Sequence, residues 1–304
     1  MTAPPATIYA AGNVNVDLIL GTLAQWPQIG TETILPHSEL RVGGQAGNVG
    51  LALAALGARY RVLANTGNDA LGTWLAEAFA SSSNAWPRAA APTSITVGIV
   101  HSTGERTFFT TLGHLSALST DQVLAQLPDR ASPGDVVLLC GVFLSPLIVQ
   151  GGQRLLQAFH ARGYVIALDT GWPDAGWDAV RPEIETWLPL VDHVLLNEIE
   201  TTALANTRDI DRAASWFRFH LRPAATLVVK CGAQGVRAWC GAEPLACAAP
   251  VVAVVDTVGA GDVFNAGYLF ALQRGADVGA ALRLGVTTAS RAISTSPRRY
   301  DAPA

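Results

Sequence analysis

Short apolar runs alternate along the chain with longer stretches in which apolar positions recur at helical spacing. The apolar runs predict strands over residues 7–11, 60–65, 136–139, 164–169, 193–196 and 225–230. The longer stretches predict helices over residues 48–56, 71–80, 147–162, 198–205, 262–274 and 279–293. Continuously apolar strands that alternate with helices are typical of a parallel sheet covered on both faces. The pattern therefore predicts an α/β fold that binds ligands at the carboxyl ends of its strands.

Two segments, 14–42 and 95–110, break this alternation because they favour strands without a helix between them. Within the second segment, residues 95–99 and 105–110 can pair as a hairpin around a Ser-Thr-Gly turn. We expect a single domain over residues 1–304, in which the two segments form a small β-sheet lid beside the main sheet.

Composition narrows the class of protein. Hydrophobic residues make up 50% of the 304 positions, charged residues 14%, and the net charge is −4. This composition provides a large core and excludes a generally basic surface for nucleic acid. No uncharged apolar run reaches the ~18 residues of a membrane span, and the first 40 residues contain no Lys or Arg, so we expect no signal peptide. Four cysteines in a chain of this length are not typical of a disulfide framework, which favours a reducing compartment. We therefore expect a cytoplasmic protein with no nucleic-acid or membrane partner.

The strongest motif is Asp-Thr-Val-Gly-Ala-Gly-Asp at residues 256–262, directly before a predicted helix. Small residues let the backbone approach a ligand closely, and free N–H groups at a helix N-terminus favour a phosphate. Asp262 could be a helix cap only, or it could accept a proton from a hydroxyl as a phosphoryl group arrives. Because a helix N-terminus favours negative charge, we expect the pKa of Asp262 to be low and the group to be a weak base.

A second motif, Gly-Gly-Gln-Ala-Gly-Asn at residues 43–48, opens the first predicted helix. Its glycines would let the chain wrap a polar ligand, and the Asn48 side chain can both donate and accept hydrogen bonds. No Gly-Lys-Ser/Thr follows, so this is not a P-loop, and no Gly-x-Gly-x-x-Gly follows the first strand. The sequence therefore does not favour a dinucleotide site.

Together the motifs resemble the ribokinase-like (PfkB-type) carbohydrate kinase family. Its two signatures match residues 43–48, with Gly47 among them, and 256–262. Three shorter matches, to the opening strand and sugar-binding turn, an N-x-x-E motif and the nucleotide loop, are residues 12–17, 197–200 and 230–235. All occur in the family's order between residues 8 and about 296. The resemblance implies a ribokinase-like αβα sandwich with a mainly parallel central sheet and a small β-sheet lid.

The resemblance also implies roles on the acceptor side. Asp262 would be the catalytic base, and the N–H groups of Gly259, Ala260 and Gly261 would form an anion hole for the transferred phosphoryl group. The residues implied to hold sugar hydroxyls are Asn15, Asp17, Gly43, Gly44 and Asn48.

On the cofactor side, the resemblance implies ATP and Mg²⁺, with K⁺ as a further candidate. The residues implied to bind the nucleotide and its metal are Asn197, Lys230, Gly232 and Gly235. Glu200 would organise Mg²⁺ through water, and Asp256 would lie near a monovalent-cation loop. Residues 294–299 lack the glycine usual in that loop. We interpret Lys230 as a strand-end residue rather than a catalytic cation.

The implied function is ATP-dependent phosphorylation of a hydroxymethyl group on a small sugar or sugar derivative. Ribose is disfavoured because Leu144 precedes the Ser-Pro pair where ribokinases carry a glutamate. A nucleoside kinase is the alternative within this class, since Phe108 and Phe109 could pack a base. A catalytically silent sugar-binding protein is the alternative outside it.

Three further expectations concern the lid and its surroundings. Arg106 is interpreted as a hairpin residue, with contact to the substrate as the alternative. His114 is expected in an exposed loop. We also expect a homodimer formed through the lid, because proteins generally cover exposed β edges.

Overall fold

A computed structural model describes residues 6–241, 243–296 and 298–300. Its strands, in chain order, are β1 Ile8–Gly12, β2 Asn15–Leu23, β3 Ser38–Gly43, β4 Tyr60–Leu63, β5 Thr66–Gly67, β6 Arg88–Ala89, β7 Ile95–His101, β8 Arg106–Thr110, β9 Val136–Cys140, β10 Val165–Asp169, β11 His193–Asn197, β12 Thr226–Lys230, β13 Val236–Trp239 and β14 Leu245–Cys247. Its helices are α1 Gln45–Ala55, α2 Ala70–Ala78, α3 Ala80–Ser83, α4 Thr120–Ala125, α5 Pro146–Ala161, α6 Trp177–Trp187, α7 Glu198–Leu204, α8 Ile210–His220, α9 Ala260–Gln273 and α10 Val278–Ile293.

The main sheet has eight strands in the order β14-β13-β12-β11-β10-β9-β1-β4. The six strands from β12 to β4 are parallel, whereas β13 and β14 add antiparallel strands at one edge. Every residue of β1 and β9 is buried, as their uninterrupted apolar sequences predicted. The carboxyl ends of the parallel strands meet at one edge, where the site lies.

Helices cover both faces of this sheet. On one face, Val263 and Tyr268 of α9 pack in the same core as Ile8 and Ala10 of β1. On the other face, α5 contributes to a second core that also holds residues from α6 and α8. The predicted αβα sandwich is therefore confirmed.

A separate four-stranded sheet, the small sheet, has the order β3-β2-β7-β8. All four strands come from the two segments that lack helices, 14–42 and 95–110, and β7 and β8 form the predicted hairpin. β2 begins shortly after β1 ends, so the small sheet stands beside the carboxyl ends of the main strands.

Several elements differ from the sequence predictions. Helices α3, α4, α6 and α8 were not predicted, and α1 and α9 begin three and two residues earlier than expected. The expectation for His114 is wrong: its side chain is completely buried, accepts from the Ser94 N–H through Nδ1 and bonds the Val14 carbonyl through Nε2. Within the described ranges, every helix is too short or too polar to cross a bilayer.

Candidate active site

Two neighbouring cavities open at the carboxyl ends of the main strands. The smaller, about 510 Å³, lies against the small sheet. The larger, about 670 Å³, lies between the β11 and β12 ends and the helices α9 and α10. Four residues line both cavities: Gln45, Thr257, Gly259 and Asp262. The 256–262 motif therefore forms the boundary between two adjacent binding spaces.

Asp262 lies buried in the first turn of α9, where its Oδ2 accepts a 2.8 Å hydrogen bond from Asn48 Nδ2. Burial raises the pKa of this carboxyl to about 7, and the nearby charge of Asp169 adds to the rise. Asn48 and Lys230 oppose the rise without cancelling it. The sequence-based expectation of a low pKa was wrong because loss of water outweighs the field of the helix N-terminus.

The turn before α9 presents backbone donors to both cavities. Gly259 adopts φ 73° as the N-cap, without a side-chain cap. The N–H of Ala260 donates to the Thr257 carbonyl at 3.1 Å, so that donor is already engaged. In the described part of the chain, no hydrogen bond occupies the N–H groups of Gly259 and Gly261. Of the three N–H groups predicted to bind an anion, that of Ala260 is therefore occupied, and those of Gly259 and Gly261 have no partner among the described residues.

The chain's single lysine lies at this same turn. Lys230 Nζ is 2.7 Å from Asp169 Oδ2 and 3.3 Å from Asn265 Oδ1, and Asn265 Nδ2 donates to Asp169 Oδ2 at 2.6 Å. Burial opposes the charge of Lys230, but the carboxylates of Asp169 and Glu200 outweigh it and raise the lysine pKa. A Cβ added to Gly261 would lie 3.2 Å from the ammonium, so this cation adjoins the turn before α9.

The N-x-x-E motif forms a reciprocal cap at the start of α7. Asn197 Oδ1 accepts from the Glu200 N–H at 2.8 Å, and Glu200 Oε2 accepts from the Asn197 N–H at 2.9 Å. Glu200 is buried, and desolvation together with Asp169 raises its pKa to about 7. Both residues line the larger cavity, as do Gly232 and Gly235.

The smaller cavity is lined by four of the five residues that were expected to hold sugar hydroxyls, namely Asn15, Asp17, Gly44 and Asn48, whereas Gly43 is outside its lining. Asn15 Nδ2 donates to Asp17 Oδ1 at 2.8 Å and to Thr96 Oγ1 at 3.1 Å, which fixes the orientation of both polar side chains. Burial raises the pKa of Asp17 to about 6, whereas Arg41 and the Asn15 bond act in the opposite direction. Asp17 lines the cavity as a buried acceptor.

Close contacts require two of the three glycines in the 43–48 motif, Gly43 and Gly44, whereas a Cβ at Gly47 would make only ordinary contacts. A side chain at Gly43 would collide with the Asp17 carboxyl group. Gly44 has φ 82°, and a Cβ there would collide with the Asn13 carbonyl and press against Asn15 Oδ1. The motif therefore brings the backbone against the smaller cavity and leads directly into α1, which carries Asn48.

Asp256 does not fit a monovalent cation. Three arginines hold its carboxylate: Arg41 Nη1 at 2.8 Å and Arg298 Nη2 at 2.7 Å on Oδ2, and Arg106 Nη2 at 2.8 Å on Oδ1. The Val258 N–H also donates to Oδ1 at 2.9 Å. Arg106 is in the β8 strand of the hairpin, as expected, and it also lines the smaller cavity. Contact between Arg106 and a substrate stays a prediction.

The residues do fit a nucleotide-bound Mg²⁺. Mg²⁺ commonly takes one or two carboxylates and completes its octahedron with phosphate oxygens and water. Glu200 faces the larger cavity, with Asp169 lining the same space. The described residues contain no cluster of three or more acidic, His or Cys side chains that could hold a metal alone.

Sequence reasoning missed several residues that the fold brings to the site. They are Gln45, Asp169, Asn265, Arg41 and Arg298. Asp169 ends a buried strand, and Asn265 follows Asp262 by nearly one helical turn, so strand ends and helical spacing could have indicated both. The arginines carry no such signal, because only the tertiary fold brings them to Asp256.

A sequence model of the pfkB family of carbohydrate kinases matches residues 6–304. Ribokinase of Bacillus subtilis (strain 168) is 26% identical over 290 residues, which cover 94% of this chain and 92% of that protein. Ribokinase from Thermotoga maritima has a TM-score of 0.77 at 22% identity, covering 95% of this chain and 93% of its own. Arabidopsis thaliana ribokinase complexed with ribose and ATP has a TM-score of 0.76 at 23% identity, covering 97% and 94%.

Proposed function

The chain belongs to the pfkB family of carbohydrate kinases, and on this premise we propose that it transfers the γ-phosphoryl group of ATP to a hydroxymethyl group of a small sugar or sugar derivative. The observation that carries the proposal is the position of Asp262, which lines two adjacent cavities at once. Phosphoryl transfer requires acceptor and donor in line on either side of the reacting group. Acceptor and donor could occupy the two cavities on either side of Asp262, with the carboxylate at the boundary between them.

On the acceptor side, Asp262 is the proposed general base. A pKa of about 7 suits proton acceptance near neutral pH, because a base is most effective when its pKa lies close to the working pH. Asn48 orients the carboxylate through its 2.8 Å hydrogen bond. Asn15, Asp17 and the backbone at Gly43 and Gly44 are the proposed partners of the other sugar hydroxyls.

On the donor side, the N–H groups of Gly259 and Gly261 and the ammonium of Lys230 are the proposed stabilisers of the transferred group. The two N–H groups belong to the turn at residues 257–261, which we name the anion turn, and the ammonium lies beside it. Asp169 and Asn265 hold Lys230 in place. Preorganised donors and cations that face developing charge are generally the largest contribution to such catalysis. This interpretation gives Lys230 a larger role than a strand end. The N–H of Ala260 is not proposed to bind the transferred group, because it already donates to the Thr257 carbonyl within the turn.

The proposed nucleotide site is the larger cavity, with Asn197, Gly232 and Gly235 in its wall. Glu200 would hold Mg²⁺ through water, and the ion would neutralise charge on the phosphates of ATP. The raised pKa of Glu200 is a property of the chain without that ion. A nearby divalent cation favours the ionised carboxylate. Binding of the nucleotide with its Mg²⁺ is therefore expected to release a proton from Glu200.

The acceptor is proposed to be a sugar or sugar derivative other than ribose. Leu144 lines the smaller cavity and cannot accept a hydrogen bond from a sugar hydroxyl. A nucleoside is the second candidate, supported by Phe108, which lines the same cavity. Together these side chains provide an apolar wall against which a base could pack.

We also propose that the chain forms a homodimer through the small sheet. That sheet and the loop joining β2 to β3 expose large apolar side chains: Trp26, Ile29, Ile34, Leu40 and Phe109. Clustered exposed apolar residues of this kind mark interaction surfaces in soluble proteins. A second copy would cover them together with the open edges of β3 and β8.

The test is a coupled ADP-release assay over sugars, sugar acids and nucleosides, with an acceptor-free blank. The proposal expects acceptor-dependent ADP release with at least one sugar or sugar acid. Turnover of nucleosides alone would select the second candidate. Thermal stabilisation by a sugar without ADP release from any acceptor would instead indicate a silent binding protein and refute the kinase proposal.

A further inference from the structure

Asp256 is surrounded by an arginine cluster, defined as Arg41, Arg106 and Arg298. An ionised carboxylate offers about four lone-pair sites. The three guanidinium groups and the Val258 N–H supply four donors, all between 2.7 and 2.9 Å. No acceptor position of Asp256 is left for a metal ion.

The cluster joins three separate parts of the chain. Arg41 lies in β3 and Arg106 in β8, both in the small sheet, whereas Arg298 follows α10. Arg106 also donates to Thr257 Oγ1 through Nη1 at 2.7 Å, so one guanidinium binds two consecutive residues of the turn. The small sheet is thus ion-paired, through two of its four strands, to the turn that leads into α9.

The charges around Asp256 favour this arrangement over a bound cation. The arginine side chains are only 14–19% exposed, and that of Asp256 is 26% exposed. Burial opposes ionisation of Asp256, but the Val258 N–H and Arg41 outweigh it and lower the carboxyl pKa. Guanidinium groups stay charged at any working pH. A monovalent cation approaching the carboxylate would meet three fixed positive charges.

We infer that Asp256 is a positioning residue held by the arginine cluster in place of a monovalent cation, and that the cluster ties the small sheet to the anion turn. The inference rests on the proposed kinase function for its kinetic part. Guanidinium groups, in place of a bound cation, supply the positive charge beside the turn. Catalysis then needs no K⁺. Release of the small sheet would also withdraw two of the four donors from Asp256.

The first experiment compares the full-length protein in KCl, NaCl and choline chloride at equal ionic strength. We expect turnover rates within about 2-fold and melting temperatures within about 1 °C, because general screening is then the same in all three salts. An ion that binds only the folded protein would raise the melting temperature with its concentration. Activation by KCl of ~10-fold or more over choline chloride, or a melting temperature that rises specifically with K⁺, would overturn the inference.

The second experiment uses variants of the cluster with a matched control. Arg298→Ala and Arg106→Ala each remove one or two donors from the 256–257 turn, whereas Arg154→Ala removes an exposed ion pair with Asp121 remote from the cavities. We expect the cluster variants to lower kcat by ~10-fold while KM for ATP changes less than ~2-fold, since misplaced donors cost transition-state stabilisation. Arg106→Lys keeps the charge but cannot bind both residues, and it should lie between Arg106→Ala and the wild type.

The melting temperature separates failure of this inference from failure of the proposed function. If the wild type phosphorylates no acceptor, the kinase proposal fails, but the salt comparison and the melting temperatures of the variants still test the cluster. We expect both cluster variants to melt below Arg154→Ala. Cluster variants that match Arg154→Ala in melting temperature and in kcat would contradict the inference.

Discussion

Asp262 combines a position at a helix N-terminus, which favours its charge, with burial, which opposes it. The helix field contributes about 0.3–2 kcal/mol. Desolvation and the Asp169 carboxylate outweigh it and leave the pKa at about 7. The same burial that makes the carboxylate an effective base therefore makes it costly to ionise in the folded protein.

The pH dependence of activity follows from this balance. The base must be ionised to accept a proton, so kcat/KM should rise with pH through about 7 and then level off. Asp17 at about 6 titrates in an overlapping range, so the rising limb belongs to the two carboxyl groups together. Initial rates at subsaturating acceptor between pH 5 and 9 would check this. A rate that falls as pH rises through 7 would contradict it.

Asp262→Asn separates activity from stability. We expect kcat to fall at least ~10²-fold, the low end for a positioned base. Between the ordinary pKa of 3.8 and about 7, the folded protein keeps a proton that the unfolded chain has lost. Stability from this group is therefore lost as pH rises through that window. At pH 8 the variant should melt roughly 2–4 °C above the wild type. At pH 4 the variant and the wild type should melt at about the same temperature.

The matched control for this variant is Asp129→Asn, because the Asp129 side chain is 98% exposed. It should change neither kcat nor the melting temperature at either pH. An Asp262→Asn variant that keeps its activity would remove the base assignment. One that is less stable than the wild type at pH 8 would refute the desolvation argument.

Lys230 and Asp169 form a buried pair whose partners depend on each other. Lys230→Met would leave the Asp169 carboxylate buried without its cation, at a cost of ~3–5 kcal/mol in the free energy of unfolding. Adding Asp169→Asn removes the uncompensated charge, so the double variant should be more stable than additivity predicts by at least ~1 kcal/mol. Urea unfolding of the four proteins measures this coupling. Strictly additive effects would show that the pair is not coupled.

At the scale of elements, hydrophobic patterning predicted the long buried strands and the helices that pack on them. It missed α6 and α8, although their helical period is as clear as that of α5 and α10, because their sequences are on average much more polar. It set the start of α1 and α9 too late because Gly44 and Gly259 read as loop residues. The fold uses those glycines as N-caps, which places the 43–48 and 256–262 motifs in first helical turns.

A pair of glycine variants tests whether the 43–48 motif is shaped by the cavity. Gly44 and Gly57 both adopt positive φ, but only a Cβ at Gly44 would meet other atoms. Gly57→Ala should cost about 1 kcal/mol through backbone strain. Gly44→Ala should cost more in urea unfolding and should also raise KM for the acceptor by displacing Asn15. Equal losses for the two variants would show that the contact at Gly44 is unimportant.

At the scale of the whole molecule, the sequence located the two motifs but not the network that connects them. Asp262 and Asn48 were assigned from short motifs, whereas their hydrogen bond spans 214 positions of the chain. Asp169, Asn265 and the arginine cluster approach the motifs only after the sheet and its helices assemble. Local patterns carry no information about such contacts, so the raised pKa of Asp262 could not be predicted.

The small sheet provides a prediction about assembly. If its exposed apolar side chains are covered by a second copy, the protein should sediment at twice the chain mass at micromolar concentration. Ile34→Glu, in the exposed loop before β3, should shift it towards the monomer by placing charge in the interface. A wild-type monomer at these concentrations would contradict the dimer.

The central claim is that the 256–262 turn and Asp262 transfer a phosphoryl group between the two cavities. Its most direct test is coupled ADP release over the acceptor panel, measured for the wild type and Asp262→Asn at pH 8. The account predicts acceptor-dependent release by the wild type and a loss of at least ~10²-fold in the variant. Equal release by the two proteins, or release that no acceptor increases, would contradict it.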